Sequence, residues 1–160
     1  MIINFEQRPF IKGREQLGWC GPCSLSYVAG LFGIVTSQKE LADKIYDSEW
    51  GTSGEDMVRG CKILGLDATW VQGLELSELD AQRHGGDEVI LNYMDEDDPG
   101  KDGHYGVLRG LEQGLLAVDD PSTEGRITVF REEDFVKYRW YDVDEFGFKL
   151  EKWALIVRKP

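Results

Sequence analysis

The sequence is short of several things, and each shortage excludes something. It has three cysteines, Cys20, Cys23 and Cys61. So low and odd a count excludes a disulfide framework. Its two histidines are His84 and His104, which with so few cysteines makes a structural zinc site unexpected. Positive charge is scarce: 18 Lys and Arg stand against 30 Asp and Glu, for a net charge of −12. A surface of that sign repels phosphate backbones and anionic membranes, so nucleic acid is not an expected partner. No run approaches the ~20 apolar residues of a membrane-spanning helix, and membrane insertion is not expected. The first residues, Met1 to Pro9, lack the basic start and apolar stretch of a signal peptide, which points to a cytoplasmic protein. Repeats, low-complexity tracts and Pro-rich linkers are missing, so residues 1–160 are expected to form one domain. No G-x-G-x-x-G follows a strand, so no nucleotide site and no cofactor are expected.

What is present is a helical first part followed by strands. Hydrophobic residues make up 41% of the chain, enough for a core. Pro22 suits the first turn of a helix that begins at Cys20. Leu25, Val28, Ala29 and Phe32 follow at helical spacing, and Gly33 stops it. Ser37 and Glu40 form a capping-box pattern for a second helix, and a third runs from Gly54 to Leu64. Strands are expected at 68–71, 88–94, 104–110, 115–119, 127–130 and 153–157, with a short helix at 76–83 and a short helix or turn at 131–138. Glu112-Gln113-Gly114 reads as the turn of a hairpin. Helices first and an antiparallel sheet after them indicate an α+β fold. Cys61 has the position of a small buried hydrophobe. The acidic stretch from Asp95 to Gly103 lacks EF-hand spacing and reads as a solvated loop near the site, able to gate it. Tyr138-Arg139-Trp140-Tyr141 reads as core or interface.

Trp19-Cys20-Gly21-Pro22-Cys23 supports two chemistries. One is a thiol–disulfide oxidoreductase using Cys20 and Cys23, since C-x-x-C at a helix start poises a redox pair. That chemistry belongs on a strand running into the motif. The preceding residues, Ile11 to Gly18, are polar and glycine-containing and make no buried strand. The other is a catalytic thiol, whose thiolate the helix N-terminus stabilises. A thiolate nucleophile wants an imidazole, and the imidazole wants an orienting group. His84 sits at a helix end, where a surface or capping role is the ordinary one. His104 opens a strand and is the better base. Folding the hairpin brings its outer ends together, placing Asp119 and Asp120 near His104. Alternation lets only one of them face it, and hairpin arithmetic leaves both open.

At these residues the chain resembles the double-glycine leader peptidases, or bacteriocin-processing peptidases, which are papain-like cysteine peptidases often joined to peptide-exporting ABC transporters. The matching stretches are 16–25, 37–41, 54–66, 104–110 and 120–121, in order. The resemblance implies a papain-like fold with N-terminal helices packed on a C-terminal antiparallel sheet. It implies Cys20 as nucleophile, His104 as base and Asp120, the aspartate before a proline, as orienter. It implies a structural role for Cys23. The family's oxyanion-donor Gln stands six residues before the nucleophile. Here Gln16 stands four before and Gln7 thirteen before, so Gln16 takes that role through a shortened loop. The activity implied is hydrolysis of a peptide or amide bond in a peptide or protein substrate, through a thioester. The alternatives are the Cys20/Cys23 oxidoreductase and an inactive binding or regulatory domain on the same fold.

Overall fold

The computed structural model describes residues 5, 7–95, 103–144 and 146–160. Helices come first: α1 (Cys20–Leu31), α2 (Gln38–Ile45) and α3 (Gly54–Ile63). Ser37 and Ser53 begin the second and third by accepting from the backbone N–H groups of Glu40 and Asp56. Then follow β1 (Asp67–Gln72), α4 (Leu76–His84), β2 (Glu88–Tyr93), β3 (His104–Glu112), β4 (Leu115–Asp119) and β5 (Thr128–Arg131). A short α5 (Glu132–Asp134), a π-helical turn (Phe135–Arg139), β6 (Tyr141–Val143), β7 (Lys149–Glu151) and β8 (Trp153–Arg158) complete the order.

Six strands form one antiparallel sheet in the order β1-β8-β2-β3-β4-β5. Strand alternation divides its side chains between two cores. Ile90, Tyr105, Val107, Trp153, Leu155 and Val157 face α1–α3, where they meet Leu25, Val28, Leu41, Ile45, Met57 and Cys61. Val89, Leu91, Tyr93, Leu108, Leu116, Val118, Ala154 and Ile156 face the other way, toward Leu76 and Leu79 of α4 and toward Phe135 and Trp140. Burial on both faces explains why β2 and β8 read as unbroken apolar runs. Cys61 is fully buried, as its pattern implied. No helix among the described residues is long and apolar enough to cross a membrane.

The short helix or turn expected over 131–138 is a single α-turn followed by a π-helical turn. The two-stranded ribbon β6–β7 was not expected; its strands are short and half-exposed and carry no clear alternation. Of the Tyr138–Tyr141 stretch, Trp140 is core and Tyr138 is exposed. Most of the acidic loop, residues 96–102, lies outside the described residues.

Among the described residues, the segment before α1 has no regular secondary structure, yet it is tightly laced to the rest. Arg8 bonds Glu88, Asp119 and the Leu108 carbonyl. Tyr27 donates to the Pro9 carbonyl, the Cys23 thiol to the Lys12 carbonyl, and Gln38 to the Gly13 carbonyl. The Arg14 N–H donates to the Pro121 carbonyl at 2.8 Å. Residues 8–14 therefore run as an arm across α1 and β4 and end in the turn that starts α1.

Candidate active site

Cys20 is the first residue of α1 and remains partly exposed. Trp19 gives that helix no side-chain cap, and its first turn holds no acidic residue. Pro22 has no N–H, and the Cys23 N–H is bonded to the Trp19 carbonyl. The backbone N–H groups of Cys20 and Gly21 are left pointing out of the helix start. Gly18, in the turn before it, has φ +85°. A Cβ there would lie 2.8 Å from the Tyr46 hydroxyl, so the turn needs glycine twice over.

His104 opens β3, directly opposite Tyr93 on β2. Asp120 follows the last residue of β4. Alternation along β4 sends Leu116, Val118 and Asp120 to one face and Asp119 to the other. On its own face Asp120 Oδ1 lies 2.7 Å from His104 Nε2. It also accepts from the Ser122 N–H and hydroxyl at 2.8 and 2.6 Å. Asp120 Oδ2 accepts from the Tyr93 hydroxyl at 2.5 Å. The fully buried Asp119 instead takes Arg8, Arg109 and Tyr27. The choice that hairpin arithmetic left open is thus made by side-chain direction.

The Cys20 thiol lies close enough to the His104 imidazole for each to shift the other's pKa. The structure therefore brings Cys20, His104 and Asp120 together, with the His104–Asp120 pair hydrogen-bonded. Burial alone would lower the imidazole's pKa; the bonds to Asp120 and Cys20 outweigh it and push it up to about 10. Burial alone would raise the Cys20 thiol. The His104 hydrogen bond and charge, the Tyr105 backbone N–H and the Arg14 charge reverse that and hold it below its ordinary value. Burial disfavours the Asp120 carboxylate as well, but His104, Ser122 and Tyr93 keep it far below the usual range. This is the charge pattern of a thiolate–imidazolium pair with an ionised orienter.

Cys23 differs in every respect. It is buried, its thiol is bonded to the Lys12 carbonyl, and burial with the neighbouring Cys20 pushes it up to about 12. Gln16 sits exposed in the turn, its carbonyl taken by the Trp19 N–H at 3.2 Å. His84 is a largely exposed residue at the end of α4, beside Asp80. Asp95, His104 and Asp120 each offer one ligand atom within a 4.8 Å span. A cation there would have to break the 2.7 Å His104–Asp120 bond. A cavity of about 520 Å³ lies against the flank of α1, lined by Phe10, Cys23, Tyr27 and Leu31 among others; Cys20, His104 and Asp120 take no part in it.

Tyr93 and Ser122 were not foreseen. Tyr93 stands in a strand that reads simply as buried, and only register places it beside His104. Gly106 guards this arrangement: a Cβ there would lie 2.7 Å from the Tyr93 hydroxyl and 2.6 Å from Val118. Gly106→Ala is therefore expected to cost about 1–3 kcal/mol by overpacking and to slow turnover by displacing the Tyr93 hydroxyl. Tyr93→Phe should slow turnover with less loss of stability. Thermal melting and kcat on both variants check this; a Gly106→Ala protein with unchanged melting and kcat would refute the packing argument.

A family model described as the Peptidase C39 family matches residues 14–142. The chain belongs to the Peptidase C39 family. An uncharacterized protein of Methanothermobacter thermautotrophicus is 31% identical over 113 residues, 71% of each chain. The peptidase domain of Streptococcus ComA, a bifunctional ABC transporter of a quorum-sensing pathway, superposes with TM-score 0.71 at 19% identity, covering 93% of this chain and 97% of that one. A double-glycine motif protease from an AMS/PCAT transporter, solved with a leader peptide, gives 0.69 at 16% identity, covering 98% and 94%. A C39-like peptidase from Bacillus anthracis gives 0.69 at 19%, covering 95% and 94%. The fold is that of C39 papain-like peptidase domains, as the resemblance implied. Family and fold together suggest a cysteine peptidase.

Proposed function

We propose that this C39 protein is a thiol hydrolase that cleaves a peptide or amide bond with Cys20 as nucleophile, His104 as general base and acid, and Asp120 as the group that orients the imidazole. The observation that carries the reading is the 2.7 Å bond between Asp120 and His104, with the Cys20 thiol close enough to the imidazole for each to shift the other's pKa. The Cys20 thiolate adds to the substrate carbonyl carbon, and the π pair moves to oxygen. As that pair returns, the C–N bond breaks and the amine leaves with the imidazolium proton. His104 then takes a proton from water, the water oxygen attacks the thioester, and the C–S bond breaks to return the thiolate. Asp120 holds the ring in the tautomer this exchange needs. Residues 1–160 act as one unit in this reading, and the substrate is a peptide, as in the leader-peptide complex of the related protease.

The irregular arm that leads into Trp19, where that chemistry wants a strand, speaks against dithiol exchange.

The test is iodoacetamide labelling of Cys20 across a pH series. With the thiol lowered and the imidazole raised, labelling should stay fast well below the free-thiol value of ~8.5. It should fall only in acid, where the thiolate gains a proton. Turnover should fall on the alkaline side as His104 loses its proton near 10. His104→Ala should move the labelling midpoint up to the free-thiol range or beyond. A wild-type midpoint at or above ~8.5, indifferent to His104, would sink the ion pair.

A further inference from the structure

We infer that Asp142, on the ribbon strand β6, is a positioning residue for His104: its carboxylate holds the backbone N–H of Gly103 and so sets where β3 begins. The inference rests on the peptidase reading above and gives the β6–β7 ribbon a part in it.

His104 stands at a strand end, where backbone position is least secure. Its pairing with Tyr93 is the last rung between β2 and β3. Yet its ring must meet Asp120 at 2.7 Å and stay near the Cys20 sulfur. In such a constellation a misplacement of about 1 Å costs ~10²-fold in rate.

Asp142 supplies the hold that the ladder lacks. Its Oδ1 accepts from the Gly103 N–H at 2.7 Å, one residue before His104. Its Oδ2 accepts from Asn92 Nδ2 at 3.0 Å, one residue before Tyr93. One carboxylate thus ties the end of β2 to the start of β3 where the rungs stop, and bonds to an ionised acceptor are about twice as strong as neutral ones. Gly103 fits this clamp closely. A Cβ there would run into the Asp142 carboxylate and lie 2.6 Å from Asn92 Oδ1. Asn92 is 4% exposed, and its Oδ1 has no hydrogen-bond partner among the described residues. A buried acceptor left unmade costs stability, so Asn92 serves the carboxylate through its N–H groups at a cost to the fold.

The clamp is itself anchored. Trp140, two residues before Asp142, is 2% exposed and donates its indole N–H to the Trp153 carbonyl at 3.1 Å. The Met94 N–H donates to the Arg139 carbonyl at 2.8 Å, and Arg139 Nε donates to the Met94 carbonyl at 2.8 Å. Residues 139–142 therefore grip β2 just past Tyr93 and β3 just before His104. Those are the two strand ends whose side chains bond Asp120.

The experiment needs no natural substrate. In a His84→Gln background His104 is the lone histidine, so its ring nitrogens give the single imidazole signal in a nitrogen-15 spectrum. The pH titration of that signal and the pH midpoint of Cys20 alkylation by iodoacetamide are measured for this parent and for Asp142→Ala, Asp142→Asn and Gly103→Ala, each well below its own melting temperature. All of them keep Cys20, Tyr93, Asp95 and Asp120, the groups that face the ring. Asp142→Ala and Gly103→Ala should raise the alkylation midpoint by ~1 unit, the ordinary size of an environmental displacement, which is ~10-fold less thiolate at a fixed pH below both midpoints. They should also lower the imidazole midpoint from about 10. Asp142→Asn should stay close to the parent, because its amide oxygen still accepts from the Gly103 N–H and Asn92 Oδ1 can take the new N–H. Unchanged midpoints in Asp142→Ala, however far its melting falls, would make Asp142 a structural brace and overturn the inference. So would an Asp142→Asn protein shifted as far as Asp142→Ala, since charge rather than the hold on Gly103 would then be at work. A parent whose Cys20 midpoint lies at or above ~8.5 would strike the peptidase reading itself and remove the inference with it.

Discussion

Cys20→Ala is expected to abolish hydrolysis, with a loss on the order of 10⁶-fold, whereas Cys23→Ala leaves turnover essentially intact. The two sulfurs stand one helical turn apart and differ in every physical respect that governs reactivity. Cys20 is partly exposed, faces an imidazolium and has a lowered thiol pKa. Cys23 is buried against the Lys12 carbonyl and pushed up to about 12, so almost none of it is thiolate at neutral pH. Removing a nucleophile that acts as part of a relay costs nearly all of the relay's effect, which sets the size of the first loss. Removing the Cys23 sulfur costs packing, about 1 kcal/mol of stability. The comparison is made by measuring kcat/KM on a peptide amide alongside disulfide exchange with glutathione. A Cys23→Ala protein as dead in hydrolysis as Cys20→Ala, with exchange activity in wild type, would move the chain to dithiol chemistry.

The adjacent aspartates should separate just as sharply. Asp120→Asn is expected to lower kcat by ~10⁴-fold with melting little changed, because the amide keeps the shape but favours the wrong imidazole tautomer. Asp119→Asn should do the opposite. Asp119 is fully buried and accepts from Arg8 at 2.8 Å and from Arg109 at 2.8 Å. Neutralising it weakens the hold on two buried guanidiniums, and breaking such a pair costs about 3–5 kcal/mol. For a protein with a total stability of 5–15 kcal/mol, as is usual, that is a large fall in melting temperature. Turnover measured well below the new melting point should remain. If Asp119→Asn lost turnover at unchanged stability while Asp120→Asn did not, the assignment of faces would be reversed.

Much of this site could be read locally. Gly21-Pro22 marked the start of α1, and the apolar runs around Glu112-Gln113-Gly114 marked the β3–β4 hairpin, because caps, turns and alternation act over a few residues. His104 could be preferred over His84 for the same reason. What escaped reading depends on distant pairing. Tyr93 reaches Asp120 only because β2 lies beside β3 in the register that puts it opposite His104. β8 lies between β1 and β2, an order that no local pattern encodes. The arm over residues 8–14 shows no period at all, since it is held by side chains bonded to carbonyls rather than by a ladder or an apolar stripe.

The insertion of β8 between β1 and β2 also governs when the molecule can become reactive. While the chain is being made, β1 and β2 each present an open edge until residues 153–158 emerge, and both cores wait for Trp153, Leu155 and Ile156. Long-range pairing of this kind is slow to form and exposes sticky edges meanwhile. Cys20 leaves the ribosome long before its imidazole, and a thiol lowered chiefly by a partner on the sheet stays ordinary in the nascent chain. On the proposed reading the thiol becomes reactive only once the sheet that carries its imidazole has closed around residues 153–158, an order of events set by strand order alone.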